Sequence, residues 1–302
     1  MAEAVTAVVV HWRDVEATVR CVASLRAEPV RVIVVDNGGT VPVGARLHQV
    51  APAARCLMTA ENLGYAGGAN AGISAALADG AEVVLLLNDD VEVRAGAPTA
   101  ACEVLRQSGR IAVVGAKSLL RDDPGRLWLA WGEVTYRHDL VALVGANAPD
   151  GEEFSRQRDV PWVGGCAMWF RAEAIRALGP LAEEFFAYHE EVEWCARASE
   201  RGWRVVYAPR VVVTHGGRGT SADRAAVRVR KYFTARNMIL FARRHGTWRQ
   251  RAKLAAFLAG ALPLQLAWRW PRGHADEVWL KMRGVRDALT GRRPPFERLG
   301  LK

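Results

Sequence analysis

The sequence predicts an α/β fold in which a mostly parallel sheet is covered by helices on both faces. Short β-branched runs alternate with amphipathic stretches through the first third of the chain, the pattern of parallel strands joined by helical crossovers. With 302 residues, half of them apolar and about a quarter charged, the chain can bury a large core. Polar residues gather where strand-like runs end, at Asp36 and at Asn88, Asp89 and Asp90, and open α/β folds bind ligands along the edge formed by strand C-termini.

The elements follow in order. "AVVVHW" (7–12) reads as a strand, 14–27 as a helix opened by Asp14, "RVIVVDN" (31–37) and "RCLMTA" (55–60) as strands, 65–80 as a helix and "AEVVLLLN" (81–88) as a strand. Residues 96–108 suggest a helix and 110–117 a strand. The polar, aromatic stretch 121–160 has little periodicity and is expected to form loops and short strands over the sheet. Residues 160–179 bring a Gly-Gly turn, a short strand and a helix, 190–202 a helix, and 203–215 two strands, "WRVVYAP" and "RVVVTH". From Ala222 the chain turns to long, basic, amphipathic helices. No repeat or low-complexity linker intervenes.

The five cysteines are widely spaced and contain no C-x-x-C pair, so neither a disulfide framework nor a zinc site is indicated, and a reducing cytosol fits. The chain enters a strand-like run at once, lacking the basic and apolar segments of a signal peptide, and a cytoplasmic location is expected. The net charge of +9 is uneven. Residues 203–302 carry 22 Lys and Arg against 5 Asp and Glu, a cationic third suited to an anionic surface or substrate.

Several constellations can carry chemistry, each with a plainer structural alternative. In "ENLGYAGGANAGI" (61–73), Asn62, Gly64, Gly67, Gly68 and Asn70 surround a helix start. Free N–H groups there can cradle a diphosphate, or the glycines can serve only a tight turn. The spacing matches neither the dinucleotide fingerprint nor the P-loop. Asn88, Asp89 and Asp90 offer oxygen ligands for Mg²⁺ or Mn²⁺, or an ordinary polar turn. Glu190, Glu191 and Glu193 open a helix, where acidic residues favour the dipole, yet one carboxylate held near a hydroxyl can act as general base. His215 ends a strand-like run and is a structural histidine or, with Asp90, a metal ligand.

Taken in order, "VVDN", "ENLGYAGGANAGI", "LLLNDD", "WVGGCAMWFRAEAIRALG", "FFAYHEEVEWCARASERGWRVVYAP", "VVVTHGGRGTS" and "YFTARN" resemble the inverting family-2 glycosyltransferases with a GT-A fold, most of all the bacterial branch that includes rhamnosyl- and galactofuranosyltransferases of cell-envelope glycans. The resemblance covers about residues 5–240. It implies a catalytic domain over 1–221, with a nucleotide-sugar half to about 115 and an acceptor half over about 116–221, and a helical basic extension over 222–302. It further implies that Asp36 contacts the nucleoside and that Asn62, Gly64, Gly67 and Asn70, with Asn88 and Asp89, help to form the donor site. Asp90 and His215 would hold Mg²⁺ or Mn²⁺, Trp162, Gly164, Gly165 and Glu190 would line the donor-sugar and acceptor region, and Glu191 would be the catalytic base.

Three departures from the family pattern stand out. Asn88 replaces the first carboxylate of the metal motif, Glu191 replaces the commoner Asp with one extra methylene, and "VDNGGT" lacks a Ser-x-Asp continuation. The expected activity is metal-dependent, inverting transfer from a UDP- or dTDP-sugar to a hydroxyl of an envelope glycan, a glycolipid or a small molecule. The alternatives are a natural-product glycosyltransferase, a nucleotidyltransferase, or a non-catalytic nucleotide-sugar-binding protein.

Within 228–272, a basic amphipathic helix precedes an uncharged run over 254–268 that contains Pro263 and Gln265 and is too short to span a bilayer. Peripheral contact with the inner face of a membrane, packing on the catalytic domain and a homodimer contact all fit. No nucleic-acid motif accompanies the charge, and no nucleic-acid partner is expected.

Overall fold

The computed structural model describes residues 4–39, 42–137, 140–216 and 224–301. Its first half runs β1 (Val5–His11), α1 (Val15–Ser24), β2 (Val30–Asp36), α2 (Gly44–Val50), β3 (Arg55–Met58), α3 (Gly64–Ala78), β4 (Val83–Asn88), β5 (Val91–Val93), α4 (Ala97–Arg106) and β6 (Ile111–Leu120). There follow β7 (Leu127–Leu129), β8 (Trp131–Val134), β9 (Val141–Val144), β10 (Arg158–Asp159), β11 (Ala167–Arg171), α5 (Ala172–Leu178), α6 (Glu190–Glu200) and β12 (Arg204–His215). Three helices close the chain: α7 (Arg224–His245), α8 (Trp248–Arg269) and α9 (Ala275–Thr290).

The strands form one mixed sheet in the order β10-β12-β6-β11-β4-β1-β2-β3, with β5 added to β12 and β7 to β6. Strands β1 to β4 are parallel, β12 is parallel to β6, and β11 lies antiparallel between β4 and β6. Alternate residues of each strand feed two cores. Val8, Val10, Leu86 and Phe170 pack under α3, α5 and α6 on one face, while Ala7, Val9, Leu85 and Trp169 pack under α1 and α4 on the other. Burial on both faces is what made these strands read as apolar runs. Asp14 caps α1, its Oδ1 accepting from the Ala17 N–H at 2.9 Å, an arrangement that stabilises a helix by about 1 kcal/mol.

The mostly parallel sheet with flanking helices and a helical C-terminal extension is as expected. One local expectation is corrected. Residues 203–215 form one strand rather than two, with a register shift between Ala208 and Val212. Pro209 has no N–H for the ladder, so the chain bulges around it and then rejoins β6. Helix α2 was not foreseen, because "GARLHQV" shows a single buried apolar position, Leu47.

In the extension, α7 is sealed in, with Tyr232, Phe233, Asn237 and Phe241 all 2% exposed or less, and α9 packs along it. The final turns fold back on the sheet domain, where Arg13 donates to the Gly300 carbonyl at 3.1 Å.

Candidate active site

Parallel pairing sets the C-terminal ends of β1, β2 and β4 side by side, with His11 opposite Asp36 and Val10 opposite Asn88. The chain then turns through Asp89 and Asp90 into β5, whose antiparallel pairing with β12 brings His215 opposite Val91. His215 Nε2 therefore lies 3.5 Å from Asp90 Oδ1. The arrangement is buttressed from outside. The Trp128 indole stacks on the His215 ring at 4.1 Å, and the Asp90 carbonyl accepts from Arg121 Nη2 at 2.6 Å and from the Gly216 N–H at 2.9 Å.

Burial holds the His215 imidazole below its ordinary pKa, against the pull of Asp90 and assisted by Arg121. Asp89 is pushed up to about 7, by burial first and then by the charges of Asp90 and Asp14. A neutral imidazole beside the Asp90 carboxylate is a donor pair that fits a divalent cation, while the Asp89 carboxylate lies 3.8 Å from His11 Nδ1. An oxygen and a nitrogen 3.5 Å apart can share one ion at bonds of about 2.1–2.3 Å. Among the described residues no group of three or more His, Cys, Asp or Glu gathers round one point, so further ligands would come from water or phosphate.

Strand β11 begins beside the end of β4, where the Asn88 N–H donates to the Cys166 carbonyl at 3.0 Å. The two glycines before it, Gly164 and Gly165, are half-buried. A Cβ on Gly165 would stand 3.2 Å from Glu191 Cγ, and the Gly165 carbonyl accepts from the Tyr65 hydroxyl at 3.1 Å. Burial, opposed by the Ser118 hydrogen bond and with lesser effects from the charges of Asp90 and Glu191, pushes the Cys166 thiol up to about 12.

Glu191 is delivered by a strained turn. Phe186, Tyr188 and His189 all have positive φ, at 63°, 68° and 70°, where a side chain ordinarily costs about 1 kcal/mol or more. Immediately after it α6 starts with Glu190 and Glu191. Burial pushes the Glu191 carboxyl up to about 7, while N–H groups of the helix start favour its ionised form. Glu190, 4% exposed, is raised well above its ordinary value by burial and by the charge of Glu191. Both carboxyls are held above their ordinary values side by side, so one shared negative charge is favoured over two. Among the described residues its Oε2 is buried without a hydrogen-bond partner. Glu193 faces elsewhere. Burial tends to raise it, but the His245 hydrogen bond and the Arg197 and Arg244 charges prevail and hold it low.

On the β2 side, Asp36 is buried and its carboxylate accepts from the Gly39 and Val43 N–H groups, each at 3.3 Å. Asn37 and Asn62 close the start of α3. Leu63 N–H donates to Asn37 Oδ1 at 3.1 Å, Gly64 N–H to Asn62 Oδ1 at 2.9 Å, and Ala66 N–H to the Phe186 carbonyl at 3.0 Å. The diphosphate cradle expected at this helix start is therefore corrected, because protein acceptors already use these amides. The glycines serve close packing: Gly64, at φ +73°, lies against the Phe186 ring, Gly67 against the Leu63 side chain, and Gly68 against Asn37 and Val10. Asn70 is turned away from the strand ends, both amide donors spent on Leu181 O and Glu183 Oε1 at 2.9 Å. Trp162 is likewise a packing residue, buried with its ring over Gly132. Residues 217–221 of "HGGRGTS" lie outside the described residues.

Sequence reasoning did not single out Tyr65, Arg121, Trp128 or Asn237. Arg121 and Trp128 lie in the aperiodic stretch, where no signal marks them. Asn237 closes "YFTARN", and its Nδ2 donates to the backbone carbonyls of Phe185, Ala187 and Tyr188, clamping the strained turn before Glu191.

The chain is 27% identical over 256 residues to the N-acetylglucosaminyl-diphospho-decaprenol L-rhamnosyltransferase of Mycobacterium tuberculosis, covering 78% of this chain and 82% of that protein. Its fold is similar to a mannosyltransferase from Pyrobaculum calidifontis solved with GDP-Man and Mn²⁺ (TM-score 0.61, 16% identity, 97% of this chain and 89% of that one). It is also similar to GalNAc-T7 solved with UDP, GalNAc and Mn²⁺ (TM-score 0.58, 13% identity, 90% of this chain and 58% of that one). Residues 2–245 match the model of the family described as glycosyltransferase like family 2, and the chain belongs to that family.

Proposed function

We propose that the protein is an inverting glycosyltransferase that moves a sugar from a UDP- or dTDP-sugar to an acceptor hydroxyl in cell-envelope glycan or glycolipid synthesis. One observation carries this reading. A buried carboxyl poised near neutrality, Glu191, stands against Gly165 at the same sheet edge as the Asp90–His215 pair. The decaprenyl-diphosphate in the name of the mycobacterial relative favours a lipid-linked acceptor.

In this reading Asp36 and Asn62 line the nucleoside pocket of a donor half to about residue 115, and Gly164, Gly165 and Glu190 border the acceptor in the half beyond it. Asp90 and His215 are the groups that would hold a divalent cation, which when bound neutralises charge on the leaving diphosphate. Glu191 takes the proton of the acceptor hydroxyl. The acceptor oxygen bonds to the anomeric carbon as the bond to the diphosphate oxygen breaks, the electron pair leaves with the diphosphate, and attack from the opposite face inverts the centre. In this reading Glu190 keeps its proton while Glu191 is ionised, which avoids a second buried negative charge.

Glu191→Gln tests the assignment. Turnover is expected to fall by ~10³-fold or more, with donor affinity by calorimetry unchanged and nucleoside diphosphate, not pyrophosphate, as the wild-type product. Normal turnover in the variant removes Glu191 from the role.

A further inference from the structure

Helix α8 is apolar on both sides. Leu254, Phe257, Leu258, Ala261 and Leu262 recur at helical spacing on its inner side, and four of them line a cleft with Met238 of α7 and Val285 of α9. On the opposite side Ala252, Ala256, Ala259, Pro263, Leu264 and Ala267 are exposed. No charged residue occurs from 254 to 268. A helix packed by one face ordinarily turns charged residues to water on the other, and one apolar all round is ordinarily covered all round.

The ends of this face differ from its middle. Trp248, Trp268 and Trp270 are 74%, 59% and 62% exposed. Arg249 and Arg272 lie over the Trp248 and Trp268 rings, at 5.4 and 4.3 Å, and among the described residues no carboxylate pairs with either arginine. The surrounding chain, 224–275, contains no Asp or Glu. An apolar middle rimmed by tryptophan and arginine matches the layering of a lipid interface, with acyl chains below, indoles at headgroup depth and guanidinium groups at the phosphates. No helix among the described residues is long and apolar enough to cross a membrane, so this one would lie in the plane.

We propose that the outer face of α8, with the turn through Arg272, docks the protein on an anionic lipid surface. A second copy of the chain suits this face less well, because an isologous contact brings two cationic rims together. The proposal goes beyond the sugar-transfer reading and does not depend on it.

The test is flotation of the full-length protein with vesicles of phosphatidylcholine alone and of phosphatidylcholine with about one-third phosphatidylglycerol, alongside light scattering for mass. The wild type is expected to float with the anionic vesicles and to be released by salt. Ala259→Glu and Leu264→Glu, both on the exposed side and tolerable to the fold, should each reduce binding by about tenfold or more while leaving the melting temperature unchanged. Failure of the wild type to float overturns the proposal, as does flotation of both variants at the wild-type level. A dimer that Leu264→Glu dissociates, without vesicle binding, overturns it in favour of a second copy.

Discussion

Asn237 Nδ2 lies 2.7 Å from the carbonyl oxygen of Tyr188 and 2.8 Å from those of Phe185 and Ala187. A buried amide on α7 thus holds the left-handed turn that aims Glu191. Asn237→Ala should lower turnover by about 10–100-fold through misplacement of the carboxylate, with donor affinity within about threefold. Unpaired carbonyls should also cost the fold about 1–3 kcal/mol. Steady-state kinetics, calorimetry and thermal melting read these separately, and wild-type turnover in the variant would remove the coupling between extension and site.

Glu191 has its folded pKa raised to about 7 from an ordinary 4.5. As the base it must be ionised, so kcat/KM should rise with pH through a midpoint near 7. Stability runs the other way. Between the two values the folded state holds a proton that the unfolded state has lost, so this group makes stability fall as pH rises from about 4.5 to about 7. Glu191→Gln should therefore melt higher than wild type at pH 8 and no higher at pH 4. A variant that melts lower at pH 8 would contradict the buried charge.

Mn²⁺ should raise the melting temperature of the wild type and strengthen nucleoside diphosphate binding, and chelation should reverse both. Asp90→Ala and His215→Ala should each weaken metal-dependent nucleotide binding by about tenfold or more. Calorimetry with and without Mn²⁺ decides the matter, and nucleotide binding indifferent to both the metal and the substitutions would place the diphosphate elsewhere.

His245 joins α7 to α6, its Nδ1 2.7 Å from Glu200 and its Nε2 3.3 Å from Glu193. Burial opposes its charge, but these two carboxylates raise its pKa above the ordinary 6.5. The stabilisation is complete below pH 6.5 and disappears as pH rises through the folded value. His245→Gln should accordingly destabilise the protein more at pH 6 than at pH 9, which chemical denaturation at the two pH values would show. An equal loss at both would mean that the charge contributes nothing.

The strands and the shared edge at Asp36 and Asn88 were legible because parallel alternation fixes where strand C-termini lie, whatever the side chains do there. The aim of individual side chains was not. Asn70 and Trp162 sit in the right segments, yet a partner distant in sequence claims each, Leu181 for the amide and Gly132 for the indole. The glycines of 64–68 drew attention as an anion cradle, whereas their small size is needed against Phe186, Leu63 and Asn37. Trp128 reaches His215 only because β7 pairs with β6, a contact that periodicity does not encode.

The bulge in β12 also decides which way His215 points. Ahead of it the odd-numbered residues Val205 and Tyr207 face the core under α6, whereas beyond it the odd-numbered Val211 and Val213 face the core under α4. Four steps along β12, from Ala208 to Val212, correspond to one along β6, from Ala116 to Lys117, and an odd surplus inverts the pleat. The bulge is therefore a parity device. The presentation of the imidazole beside Asp90 depends on how many residues are looped out around Pro209 rather than on which they are, so loss of a single one there would turn His215 to the opposite face with its own codon untouched.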